Sequence, residues 1–151
     1  MSPPIHASAF SYKGAGCLIL GDSGSGKSTL LAEVMLRGAQ LVADDRVALH
    51  ASSGQLIANP VVPLHGVMEL RGFGLIKHEE VVEAQPIHLA IALDAAANER
   101  LPEPATHSYY GVNVPFLSVP PLPVLSPAAL LLYLEAVHEG RSLPTDWHPL
   151  G

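Results

Sequence analysis

The residues from Gly21 to Ser28, Gly-Asp-Ser-Gly-Ser-Gly-Lys-Ser, satisfy the pattern G-x-x-x-x-G-K-[ST]. Glycines at those positions let backbone N–H groups turn inward around phosphate oxygens, because they accept angles closed to other residues. A short apolar run, Cys17 to Leu20, precedes the loop and a helical pattern follows it. That strand–loop–helix context separates a phosphate cradle from a chance glycine-rich turn. The helix aims its unpaired N–H groups and the positive end of its dipole at the same place. Gly21, Asp22, Ser23, Gly24, Ser25, Gly26, Lys27, Ser28 and Thr29 are therefore the candidate nucleotide-binding residues. Lys27 is expected to reach the β- and γ-phosphates of a nucleoside triphosphate, and the Ser28 hydroxyl to hold Mg2+.

Turnover requires a group that activates an acceptor. Asp44 and Asp45 end an apolar strand 17 and 18 residues after Lys27. A strand lying parallel beside the loop's own strand would bring them to the phosphate side of the sheet. Adjacent strand residues point to opposite faces, so the two carboxylates are expected to divide the work. One takes a proton from an acceptor hydroxyl; the other supports the metal or orients its neighbour. Of the 8 basic residues, Arg71 and Arg100 are the candidates to face phosphate, whereas Arg37 and Arg141 fit helix C-termini and Arg46 a local ion pair. His6 lies close enough to the loop's strand to reach the site, while the other histidines show no metal-ligand spacing.

These groups must be positioned by strands and two helices. Ala7 to Tyr12 reads as a strand, Lys13 to Gly16 as a turn, and Cys17 to Leu20 as a strand buried on both faces. Leu30, Leu31, Val34 and Met35 recur at helical spacing before Gly38, a C-terminal cap. Strands are expected at 40–43, in a hairpin over 47–50 and 55–58, and at 87–93, while within 67–76 two glycines, Gly72 and Gly74, permit unusual backbone angles. Residues 98–127 are rich in proline and read as a surface excursion. Ser126-Pro127 starts a second helix running to about Glu139, with Gly140 closing it. The fold class is a compact α/β domain, one domain over 1–151.

With 151 residues the chain has room for one hydrophobic core. Its formal net charge of -6 lacks the basic footprint that nucleic acid or an anionic membrane demands. Charged residues are only 15% and hydrophobic ones 48%, which excludes disorder and predicts an oligomer with apolar contact surface. Cys17, the single cysteine, precludes an internal disulfide and reads as a small buried hydrophobe. Met1 to Ile5 has no leader-like features and no apolar run reaches membrane-helix length, so the expected address is the cytoplasm.

Four segments in order now resemble one family, the catalytic domain of bacterial HPr kinase/phosphorylase, the serine kinase of the phosphotransferase system. Ile5-His6 is similar to its catalytic histidine, 15 residues ahead of the loop. The loop is similar to GDSGxGKS, Leu41-Val-Ala-Asp-Asp-Arg-Val47 to L-[IV]-A-D-D-x-V, and Met68-Glu-Leu-Arg-Gly-Phe-Gly-Leu-Ile76 to E-x-R-G-x-G-[IL]-[IL]. The resemblance implies a P-loop kinase domain of the type shared with phosphoenolpyruvate carboxykinase, a mixed sheet with few helices. It further implies ATP and Mg2+ as cofactors, phosphorylation of the regulatory serine of HPr, and phosphate-driven reversal releasing pyrophosphate. Carried over by position, His6, Lys27, Asp44, Asp45 and Arg100 are catalytic, with Asp45 the proton acceptor, and Ser28 and Glu69 hold the metal.

Thr29 stands where the family usually has glutamate, and Pro120 to Pro127 replaces the P-x-[KR]-P-G-R-N segment used in the reverse reaction. The sequence lacks counterparts of the family's N-terminal domain, so the resemblance leads to the expectation of its short form, and the family implies a hexamer. Two other readings remain open: a nucleotide-binding sensor without turnover, and a small-molecule kinase. The sensor would need only the loop, and the small-molecule kinase more anion-binding groups than this chain carries.

Overall fold

The computed structural model describes residues 3–150; Met1 and Ser2, part of the segment read above as having no leader-like features, and Gly151 lie outside the described residues. Strand β1 (Ala7–Tyr12) folds back onto β2 (Ala15–Leu20) as an antiparallel pair. Lys13 and Gly14, with φ of 50° and 84°, make the two-residue turn whose backbone twist matches the strands it joins. The chain crosses through the glycine-rich loop and α1 (Lys27–Leu36) to β3 (Gln40–Ala43).

Here one expectation needs correction: β3 pairs antiparallel with β1, so β1 separates it from β2. β1 takes the inner place because it is buried on both faces, with Ala7 and Ala9 on one and Phe10 on the other fully buried, and such a strand gains most between two partners. Strands β2 and β3 still point the same way and end at the same edge of the sheet. β1, running the other way, starts there.

The hairpin β4 (Ala48–Ser52) and β5 (Gln55–Asn59) forms as expected, and β5 also pairs with the start of β8 (Gln85–Leu93). Residues 67–77 form a separate two-stranded ribbon, β6 (Val67–Leu70) and β7 (Gly74–Lys77), turning through Gly72 and Gly74. β8 lies parallel to β2 on one side and to β10 (Val112–Val119) on the other, with β9 (Ala105–Tyr109) closing the edge. The full sheet has eight strands, with β3–β1–β2–β8–β10–β9 as its main path.

Strands β9 and β10 correct the reading of 98–127 as a surface excursion. Pro115 disguised β10, since proline removes a ladder donor. It sits opposite Thr106 of β9, but the ladder to β8 begins only at Phe116, so no partner on that side misses its N–H. Helix α2 (Pro127–His138) starts as expected: the Ser126 hydroxyl accepts from the Ala129 amide at 3.1 Å, with proline in the first turn.

Side-chain alternation divides the core between the two faces of the sheet. Phe10, Cys17, Ile19, Leu89 and Ile91 pack under both helices, against Leu30, Leu31, Val34, Leu130 and Leu134. Ala9, Leu18 and Ala90 face the opposite way, against Leu49, Leu56 and Ala58 of the hairpin. Each fully buried leucine or isoleucine contributes about 1.5–3 kcal/mol of apolar burial. Cys17 lies in this core as expected, where burial pushes its thiol far above the ordinary range and keeps it unreactive. Among the described residues no helix is long and apolar enough to cross a membrane.

Candidate active site

Because β1 runs opposite to its neighbours, its first residues stand where β2 and β3 end. The register makes this concrete: Ala7 lies opposite Leu20, and Ala9 opposite Ala43. Three segments distant in sequence thereby converge: His6, the phosphate loop after Leu20, and the two aspartates after Ala43.

The loop has the backbone its motif demands. Gly26 precedes α1 with φ of 104°, a left-handed angle, and no side chain caps the helix start. A side chain at Gly21 would collide with Ser25 Oγ, so the loop can close only with glycine there. The N–H groups of Lys27, Ser28 and Thr29 are left without helical partners, and the dipole adds positive potential beside them. Lys27, 6% exposed, folds its ammonium across the loop and donates to the carbonyls of Gly21 at 2.7 Å and Asp22 at 3.1 Å. It is held where an incoming triphosphate would meet it.

The two aspartates occupy different environments. Asp44 is buried, and its Oδ1 accepts hydrogen bonds from Ser28 Oγ at 2.7 Å and Ser8 Oγ at 2.9 Å. Its Oδ2 accepts the Glu69 amide at 3.2 Å, which draws the β6–β7 ribbon to the loop. Asp45 turns outward with φ of 65°, in a tight bend closed by the Arg46 amide donating to the Asp44 carbonyl at 2.7 Å. Its exposed carboxylate pairs with His6, Nδ1 to Oδ1, at 3.2 Å. Arg46, expected in a local ion pair, makes none among the described residues.

A cavity of about 380 Å3 opens between these groups. Its walls are the loop and helix start from Ser23 to Thr29, apart from Ser25, together with Asp44, Asp45, Glu69 and Arg71. Gly21, Asp22 and Ser25 shape the loop without lining the cavity, and His6 reaches it through Asp45. Arg100 stands elsewhere, on an apolar cavity of about 220 Å3 with Leu117 and Tyr133. Of the two candidate arginines, Arg71 is the one beside the loop. A larger cavity of about 820 Å3 presents Glu79, Glu80 and Glu83 and no lysine or arginine, the wrong charge for a polyphosphate.

Sequence reasoning missed Ser8. Its only signal was a hydroxyl between Ala7 and Ala9 in a buried strand, on the face shared with Phe10. Nothing local shows that such a hydroxyl meets two groups more than thirty residues away.

Ser28 Oγ and the carboxylates of Asp44 and Glu69 are hard oxygen donors around one corner of the cavity, a set suited to Mg2+ completed by phosphate and water. The described residues contain no cluster of three His, Cys, Asp or Glu able to hold a metal by themselves.

Comparison with known proteins places this arrangement. The model of the HPr Serine kinase C-terminal domain family matches residues 2–137. HPr kinase/phosphorylase of Streptococcus thermophilus is 33% identical over 128 residues, covering 77% of this chain and 41% of the relative. That of Limosilactobacillus reuteri is 34% identical over the same length, covering 77% and 40%. The chain thus spans about two fifths of the length of these relatives. Among solved structures, the Hpr(Ser) kinase/phosphatase from Coxiella burnetii superimposes with a TM-score of 0.74 at 28% identity, over 92% of this chain and 90% of that one. Matched along most of its length and sharing that α/β fold, the chain belongs to the HPr serine kinase C-terminal domain family.

Proposed function

We propose that the chain is an ATP-dependent protein-serine kinase acting on HPr. The observation that carries this reading is the division between the aspartates: Asp44 buried on the loop's Ser28, Asp45 exposed at the cavity mouth beside His6. A nucleotide sensor needs the first arrangement and has no use for the second.

The triphosphate lies against the start of α1, with Lys27 on its β- and γ-phosphates. Ser28, Asp44 and Glu69 hold Mg2+, which when bound offsets the charge developing on the phosphate oxygens. The substrate serine enters at the open side, where Asp45 accepts its proton as the new O–P bond forms and the bond between the γ-phosphorus and the β-bridging oxygen breaks, releasing ADP. His6 orients the Asp45 carboxylate. A serine hydroxyl is a weak nucleophile, so the base must lie within hydrogen-bond reach of it. Arg71 faces the transferring phosphoryl group, the role the family resemblance assigned to Arg100.

The reverse reaction, in which inorganic phosphate attacks the phosphorus of phosphoserine, the serine oxygen leaves with a proton from Asp45 and pyrophosphate is formed, is proposed to be weak, because Pro120 to Pro127 supplies no cation in place of the family's segment. Exposed Phe73, Leu75 and Val124 support association of several copies, with the hexamer the expected form.

The test is incubation with ATP, Mg2+ and HPr from the same organism, followed by mass detection of a serine-linked phosphate. Incorporation that depends on Lys27 is expected; none under conditions where ATP binds refutes the kinase and favours the sensor. Pyrophosphate release from phosphorylated HPr, measured alongside, is expected to be slow.

A further inference from the structure

We propose that Ser8 is a positioning residue for phosphoryl transfer, locking the metal-side carboxylate of Asp44 and the base-bearing backbone of Asp45 into one unit. The proposal rests on the kinase reading for its effect on turnover and on geometry alone for its effect on the site.

Ser8 is fully buried and does not line the cavity beside the phosphate loop, so it acts there only through its neighbours. A hydroxyl has one proton to give and lone pairs to receive. Ser8 gives its proton to Asp44 Oδ1 at 2.9 Å and receives the Asp45 amide at 3.1 Å. Its backbone is paired opposite Ile19 in the β1–β2 ladder, while the β1–β3 ladder begins only at Ala9 and Ala43. The side chain therefore sits just beyond the end of that ladder, facing the bend that carries both aspartates. That bend is closed within itself by one backbone bond, Arg46 to Asp44, and is followed by the bridge between Ile5 and Val47, so only Ser8 reaches the amide of Asp45 itself among the described residues.

Two side chains one residue apart point in different directions, and their relative aim is set by the backbone between them. At Asp45 this backbone is left-handed, an angle that aspartate tolerates better than most residues and that support of its amide fixes in place. Ser8 supplies that support from the strand next door and, with the same oxygen, fixes the Asp44 carboxylate that receives Ser28. Removing the hydroxyl frees Asp44 to rotate off Ser28 and lets the Asp45 bend relax.

Ser8→Ala is expected to keep the affinity for ATP measured without metal, which depends on the loop. It should weaken the Mg2+-dependent gain in nucleotide affinity and lower kcat by about 10–100-fold, the usual effect of losing a partner behind a metal ligand. Ser8→Thr retains the hydroxyl and should recover both. Calorimetry or a fluorescent ATP analogue reads the Mg2+ response without any turnover, so a wild-type protein inactive on HPr would refute the kinase reading and leave this test standing. A folded Ser8→Ala protein with wild-type Mg2+ response and kcat overturns the proposal, as does an equal loss of ATP affinity with and without Mg2+. If Ser8→Ala does not fold, Ser8→Cys, which fills the same space with a thiol that bonds weakly, is judged by the same outcomes.

Discussion

Asp45→Asn exchanges one carboxylate oxygen for an amide at the mouth of the cavity and leaves the chain's packing untouched. Asparagine accepts the left-handed φ of 65° as readily as aspartate, so the bend survives. The ion pair with His6, which the amide cannot form, joins side chains that are 52% and 57% exposed, and such a pair is worth about 0–1 kcal/mol. At about 2–4 °C per kcal/mol for a chain of this size, the melting temperature should move by no more than about 4 °C. Turnover should fall far more. A positioned general base contributes about 100–10,000-fold, or about 2.7–5.4 kcal/mol of barrier at 1.36 kcal/mol per decade. The assay is single-turnover transfer from ATP to HPr followed by mass, which isolates chemistry from product release. ATP affinity should stay within about twofold, because no loop group changes. Asp45→Asn retaining more than about a tenth of wild-type transfer would show that Asp45 is not the base. Asp45→Ala separates the two effects, since alanine at positive φ adds about 1 kcal/mol of strain to the same chemical loss.

Lys27→Ala removes the ammonium that bridges the loop carbonyls; ATP affinity, read by equilibrium binding, should fall by about 10–100-fold and transfer should vanish. Arg71→Ala should lower kcat by about 1,000-fold or more, whereas Arg100→Ala, on a different cavity, should leave it within about threefold; the opposite ranking would restore the family's assignment. His88 supplies a pH test away from the site. Burial, and secondly the charge of His138, hold its imidazole below 6.5, and its Nδ1 accepts the Gly16 amide at 2.9 Å, which requires an unprotonated nitrogen. Below pH 6.5 the unfolded chain takes up this proton more readily than the folded one, so the stability is fully present above 6.5 and is lost as pH falls through the folded value. Melting temperatures measured between pH 7.5 and 5 should show this loss, and His88→Asn should show less of it; equal slopes would contradict the linkage.

The phosphate loop was legible because its requirements are local. Glycine angles, a lysine and a hydroxyl within eight consecutive residues constrain one another through the backbone that joins them. The same holds for the turn at Lys13-Gly14 and the Ser126-Pro127 helix start, where adjacent residues carry both the signal and its cause. Asp44 and Asp45 were legible as a pair, but they lie past the end of β3, where a left-handed bend rather than strand alternation parts their side chains, and which of them is buried depends on Ser8, Ser28 and Glu69 converging from three other elements.

Other features had no local cause to read. That β1 lies between β2 and β3 follows from which strand buries both faces best, a comparison across the whole sheet. Strand β10 carries Pro115 and looks like loop until the unpaired side of that residue is known. Arg71 and Arg100 are indistinguishable as residue types, and the bond from the Glu69 amide to Asp44, together with Met68 buried in the core, draws one ribbon to the loop. The sequence by itself determined the chemistry available, because a phosphate cradle is encoded by neighbours along the chain. Tertiary structure decided which carboxylate, arginine and hydroxyl stand beside the loop, because their placement depends on burial and angle created when distant strands meet at one edge of the sheet.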